Sequence, residues 1–133
     1  MNGSDVKVYS RTYDGNKMLS KNFKVKEFAC TDCSDPVFIS QSLVEILQKV
    51  RDHFDKPVVI TSGYRTANYN YQIKGAKCSQ HVYGLAADIK VTGVEPRVVA
   101  NYVEKLLGET GGIGRYETFT HVDVRKVKSR WIG

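Results

Sequence analysis

Apolar and polar positions divide the chain into short extended and helical stretches. Val6 to Tyr13 alternates well enough for one strand and runs into an Asp14-Gly15-Asn16 turn signal. From Ser20 to Cys30, Phe23, Val25, Phe28 and Ala29 supply contacts for one short helix, which the Asp32-Cys33-Ser34-Asp35-Pro36 segment breaks. Ser40 is placed to cap the clearest helix, in which Leu43, Val44, Ile46, Leu47, Val50 and Phe54 form one wide apolar face. Pro57 to Ser62 is short and rich in β-branched residues, as a buried strand is. It ends at Gly63-Tyr64-Arg65, so Arg65 projects from a strand end.

Thr66 to Ala76 has no clean period and predicts a polar loop or irregular helix. A turn at Gly84 leads into a strand over Ala86 to Val91. The second convincing helix covers Glu95 to Leu107, with Pro96 in its first turn and Gly108 at its end. Its face is Val98, Val99, Tyr102, Val103, Leu106 and Leu107. Gly111 to Tyr116 and Thr118 to Val124 read as a hairpin turning near Glu117. Strands and helices mix without a repeated strand-helix-strand rhythm, so the expected class is α+β.

There are no internal repeats and no linker. One domain over residues 1–133 is expected, with 1–19 as an N-terminal extension and 126–133 as a basic C-terminal tail. A chain of 133 residues can bury a core without staples, and its 41% apolar fraction excludes disorder. No apolar run reaches membrane-span length, and Met1-Asn2-Gly3-Ser4-Asp5-Val6 lacks the apolar region of a secretory signal. The net charge of +6 suits polyanionic surroundings, a bacterial wall among them. Much of it lies in Arg125-Lys126-Val127-Lys128-Ser129-Arg130, read as solvated. A nucleic-acid module should interleave aromatics with those basic residues, and Trp131 alone does not. No nucleic-acid partner and no membrane insertion are expected, and nothing in the helix faces demands more than a monomer. Three cysteines do not make a disulfide framework, so the Cys30-x-x-Cys33 pair reads as reduced or incidental thiols.

The candidate chemistry lies in the second half. His81 precedes Asp88 by seven residues, and Asp88 sits between Ala87 and Ile89, where a lone carboxylate is costly to desolvate. From Phe119 to Arg125, alternation puts Phe119, His121, Asp123 and Arg125 on one face. Thr120, Val122 and Val124 take the other, which suits a core. A lone histidine is more often a satisfied core or surface residue than a ligand. His81, Asp88 and His121 together, however, fill three corners of a tetrahedron and leave one open, the pattern of catalytic zinc. His53 reads instead as a cation near a helix C-terminus. Cys78-x-x-His81 has ligand spacing too, but a fourth, thiolate ligand would make the site structural and leave Asp88 without a purpose.

Three segments occur in order: Ser62-Gly-Tyr-Arg65, Ser79-Gln-His-Val-Tyr-Gly-Leu-Ala-Ala-Asp88, and Gly112-Ile-Gly-Arg-Tyr116 through His121-Val-Asp-Val-Arg125. Over about residues 22 to 125 the chain resembles the zinc D-Ala-D-Ala peptidases of the group named for lysostaphin, D-alanyl-D-alanine peptidase and sonic hedgehog. It is most like the small peptidoglycan peptidase branch with S-x-H-x-x-G-x-A-x-D and H-x-D motifs. The resemblance implies a hedgehog/DD-peptidase-like fold, with helices flanking a central antiparallel sheet that carries zinc. It implies His81, Asp88 and His121 as the zinc ligands, and Arg65 and Ser79 as substrate-binding residues.

The implied activity is zinc-dependent hydrolysis of peptide bonds in bacterial peptidoglycan stem peptides or cross-links, of D-Ala-D-Ala carboxypeptidase or D,D-endopeptidase type. Such a protein acts at the cell wall, delivered by phage or prophage lysis or as part of a longer exported chain. Relatives place a proton-shuttling histidine or acid where this chain has Phe119 and Thr118. Asp123 and Glu117 remain as catalytic candidates, with Asp123 narrowly favoured, although it can instead orient a ligand. The hedgehog branch also admits a non-catalytic, zinc-containing wall-binding module.

Overall fold

Local pattern decides most of the elements in the computed structural model, which describes residues 5–133. In chain order they are β1 (Val6–Ser10), α1 (Arg11–Asp14), β2 (Pro36–Ser40), α2 (Gln41–Phe54), β3 (Val58–Ser62) and α3 (Ala67–Gln72). Then follow β4 (Ala86–Val91), α4 (Pro96–Leu107), β5 (Gly112–Arg115), β6 (Thr120–Asp123) and β7 (Ser129–Ile132). The Ser40 hydroxyl accepts from Leu43 N at 3.3 Å and starts α2, as the sequence predicts. Pro96 opens α4, where its missing N–H costs nothing. Both helices turn their apolar faces onto one core: Leu43, Val44, Leu47 and Val50 from α2, and Val99, Ala100, Val103 and Leu107 from α4. Val98, expected on that face, is exposed.

A five-stranded sheet in the order β3-β4-β6-β5-β7 carries the architecture. Its pairs are antiparallel except β5 with β7, which run parallel. Strand alternation sends Ala87, Ile89, Val91, Ile113 and Val122 into the core with the helices. The opposite face therefore presents Asp88, His121 and Asp123. The class is α+β, and one side of its sheet is built to hold polar groups.

Several expectations need correction. Over Ser20 to Cys30 there is only a 3₁₀ turn, Val25–Phe28, in which Glu27 accepts from Lys24 N at 2.7 Å. Phe23, Val25 and Phe28 are buried there, but too few apolar residues recur at helical spacing to extend it. The first strand stops at Ser10, whose hydroxyl accepts from Tyr13 N and starts the single turn α1. β1 pairs with β2, a strand the local pattern did not announce, in a separate two-stranded sheet. Residues 6–14 of the segment read as an extension thus form elements of the fold, and residues 1–4 lie outside the described residues. Thr66 caps a real helix, α3.

The C-terminal segment read as a solvated tail forms β7 on the edge of the main sheet. Arg130 explains how so basic a stretch is held. Its guanidinium donates to the carbonyl oxygens of Gly111 at 2.6 Å, Gly108 at 2.8 Å and Ser129 at 2.9 Å, and to Glu104 at 2.9 Å. Arg130→Ala leaves those acceptors without their charged donor and is expected to lower stability by about 2 kcal/mol. Urea denaturation checks this. A change of only a few tenths would contradict the anchoring role.

Candidate metal centre

Strand register aligns the site. Ser62 of β3 lies opposite Asp88 of β4, Asp88 opposite His121 of β6, His121 opposite Gly114 of β5, and Gly114 opposite Trp131 of β7. One row across the sheet thus carries a carboxylate, an imidazole and an indole on the same face. In the next row Asp123 lies opposite Gly112. The glycines of Gly112-Ile113-Gly114 are what make room. A Cβ at Gly112 would run into the Asp123 carboxylate, and one at Gly114 would meet the Trp131 ring at 2.6 Å. Ile113 between them faces the core.

His81 comes from the turn before β4 and is 3% exposed, so its orientation depends on protein groups rather than water. Its Nδ1 lies 2.8 Å from Gly63 O, which fixes that nitrogen as the donor and turns Nε2 towards Asp88 Oδ1 at 3.3 Å. Arg65 N donates to His81 O at 3.1 Å, tying the Ser62-Gly-Tyr-Arg65 segment to the same turn. Ser79 Oγ accepts from His81 N at 3.3 Å and braces that turn. On the other side, His121 Nδ1 is 3.0 Å from Asp88 Oδ1 and its Nε2 is 2.8 Å from Asp123 Oδ2.

The donor atoms of His81, Asp88 and His121 all lie within 4.8 Å of one another. Metal–ligand bonds of about 2.1 Å in a tetrahedron put ligand atoms roughly 3.4 Å apart. The 3.0 and 3.3 Å separations at Asp88 Oδ1 are close to that. Each imidazole also has its other nitrogen held by an oxygen, the arrangement that orients metal-binding histidines. Two neutral nitrogens and one carboxylate oxygen fit a borderline divalent cation with one position open. No other group of three or more such residues meets the same distance test among the described residues.

Around this centre lies a cavity of about 500 Å³, walled by Arg65, Ser79, Tyr116, Phe119, Arg125 and Trp131 among others. Trp131 Nε1 donates to Tyr116 Oη at 2.9 Å, and Tyr116 stacks on Phe119 with ring centroids 4.3 Å apart. Arg65 spends its guanidinium on Ser62 Oγ, Asn70 Oδ1 and Asp88 Oδ2, at 3.1, 3.1 and 3.4 Å. Of the residues singled out from sequence, His81, Asp88, His121, Arg65 and Ser79 come together here. Trp131 and Asn70 were missed, and Gly112, Gly114 and Tyr116 stood within a quoted motif without a role.

The two catalytic candidates fall elsewhere. Glu117 is exposed and lines a separate cavity with Pro96, Arg97 and Ile132. Asp123 is fully buried beneath His121. Its Oδ1 accepts from Arg125 N and Nε, and its Oδ2 faces His121 Nε2 and accepts from Arg125 Nη2. A carboxylate offers about four acceptor sites, and all are engaged. His53 stands apart as well, stacked on Tyr102 with centroids 3.8 Å apart. Cys78 is exposed and unpaired, and Cys30 and Cys33 are free thiols.

Burial pushes the Asp88 carboxyl up, but the bonds with His121 and His81 outweigh it and hold it well below the usual carboxylate range. Burial likewise pushes Asp123 up, and His121 and Arg125 bring it down further. For His121 burial lowers the pKa, while Asp123 and Asp88 outweigh it and leave the value raised above 6.5. Protein stripped with a chelator should follow these signs. The stability contributed by His121 is complete below about pH 6.5 and lost as pH rises through its raised value. That from Asp88 and Asp123 is present above about pH 3.8 and lost as pH falls through their depressed values. Thermal melts in chelator are expected to decline above about pH 6.5; a steady rise from pH 5 to 8 would contradict the assignment.

A family model described as Peptidase M15 matches residues 18–123, which takes in the whole His81–Asp88–His121 centre. No curated protein matches the chain.

Proposed function

The chain belongs to the peptidase M15 family, whose members are metal-dependent peptidases, and from that premise we propose that it is a zinc peptidase cutting peptidoglycan stem peptides or their cross-links. The observation that carries this reading is the open three-donor centre at the base of a cavity lined by Arg65 and Ser79. His81 Nε2, Asp88 Oδ1 and His121 Nδ1 would hold the metal. Bound there, zinc supplies Lewis-acid polarisation of the scissile carbonyl and acidification of the attacking water.

The remaining work belongs to the chain's own residues. Arg65 is pinned through three of its nitrogens and has N–H donors left for a substrate carboxylate or carbonyl oxygen. Ser79 holds the turn that presents His81 and lines the cavity beside it. Tyr116, Phe119 and Trp131 form an apolar wall that excludes water from one side of the bond to be cut.

We assign Asp123 to holding His121, not to moving protons, because every acceptor site on it is occupied and none faces the cavity. Glu117 has no part in the reaction on this reading. The basic character of the chain suits a wall rich in carboxylates and phosphates and supports the reading that it acts at the bacterial envelope.

Mass spectrometry of muropeptides after digestion of purified sacculi tests the proposal and reads the cleaved bond directly. The expected result is new peptide or D-Ala products that disappear with chelator. If zinc-loaded protein binds sacculi yet leaves every stem peptide intact, the fold serves here as a binding module.

A further inference from the structure

Among the described residues lining the metal cavity, Lys74 is the one non-glycine with a left-handed backbone, at φ +57°. It follows the last turn of α3, where Lys74 N donates to Tyr71 O at 3.1 Å and Gly75 N donates to Asn70 O at 2.8 Å. Asn70 Nδ2 donates to Ala76 O at 2.9 Å and Asn70 Oδ1 accepts from Arg65 Nη1, so the turn is tied to the site. Glycine would end the helix there without steric cost. Lysine accepts that cost in an exposed residue that lines the cavity.

A second concavity of about 740 Å³ runs along α3, walled by Ala67, Tyr71, Lys77 and Val82 among others. Asn70, Lys74 and Gly75 line the second hollow, and Lys74 and Gly75 also line the metal cavity. No acidic residue lines the second hollow. Of the cations around the metal cavity, Arg65 and Arg125 are each paired with a carboxylate of the chain, Asp88 and Asp123. Lys74 and Lys77 take part in no ion pair among the described residues. Positive charge without an internal partner, on a residue that lines both the metal cavity and the α3 groove, matches a peptide bearing a free carboxylate.

We propose that the α3 groove is a second peptide subsite and that Lys74 is its specificity-determining residue, taking a free substrate carboxylate beyond the scissile bond. This rests on the peptidase reading and names the class of substrate for it. Two soluble stem peptides differing only in a carboxylate and its carboxamide provide the test, with wild type, Lys74→Gly and Lys74→Arg. Wild type is expected to favour the acid about ten-fold in kcat/KM, mainly through KM, as suits a charge-assisted contact. Lys74→Gly should lose that preference while its melting temperature holds or rises. Lys74→Arg should keep the preference.

Binding of both peptides to chelator-stripped protein, followed by calorimetry, reads the subsite independently of hydrolysis. If stripped wild type prefers the acid and stripped Lys74→Gly does not, the subsite stands even where no peptide is cut, and only the peptidase reading falls. Equal handling of the two peptides by wild type, or an undiminished preference in Lys74→Gly, overturns the inference.

Discussion

Asp88→Asn is expected to abolish hydrolysis for practical purposes, with kcat/KM down on the order of a thousand-fold, equivalent to about 4 kcal/mol. Asp88 is the centre of the constellation. Its Oδ1 faces both His81 Nε2 and His121 Nδ1, and its Oδ2 takes Arg65. Asparagine keeps the shape but loses the charge. It weakens the site as a metal ligand, leaves Arg65 without its counterion, and can direct an amide N–H at a histidine nitrogen that should bind metal. Zinc content measured beside the rate separates loss of metal from loss of fold. A folded Asp88→Asn protein that retained zinc and worked within ten-fold of wild type would contradict the assignment.

Asp123→Asn is expected to weaken zinc binding by about 10- to 100-fold, with activity at limiting zinc falling in parallel. The carboxylate touches His121 on the side away from the metal cavity, so the effect runs through the orientation and basicity of that ring. Saturating zinc should restore much of the rate, which a lost proton shuttle would not allow. Gly112→Ala gives a second way to the same group, because its Cβ would displace the Asp123 carboxylate from above. Glu117→Gln, whose side chain faces another cavity, is expected to leave the rate within about two-fold, since surface substitutions away from a site do little. A rate lost in Asp123→Asn that zinc cannot recover would return Asp123 to proton transfer.

The parts of the fold legible in the sequence were those specified locally. α2, β4, α4 and the β5–β6 hairpin each carry their own period, cap or turn. β2 and β7 were missed because their partners are remote: β1 begins thirty residues before β2 begins, and β7 joins β5 beyond the hairpin. β7 was further disguised by its charge, since nothing in Lys128-Ser129-Arg130 says that the arginine will be consumed by backbone carbonyls and Glu104.

At the site, residue type and motif singled out His81, Asp88 and His121, and the fold brings their donor atoms within 4.8 Å of one another. Their supports were not legible. Gly112 and Gly114 matter through what they leave unfilled, and Trp131 reaches His121 only through the register of a strand no local pattern predicts. Asp123 shares a face with His121 in the sequence, and the hydrogen bonds from Arg125 that favour support over catalysis are visible only in the structure.

The most direct test of the central claim is the zinc dependence of stem-peptide hydrolysis by chelator-stripped protein, titrated metal against chain. Activity is predicted to be absent after stripping and to return in proportion to added zinc, levelling off at one equivalent per chain. Hydrolysis that survives stripping, or a folded protein carrying one zinc that cuts no stem peptide, would contradict it.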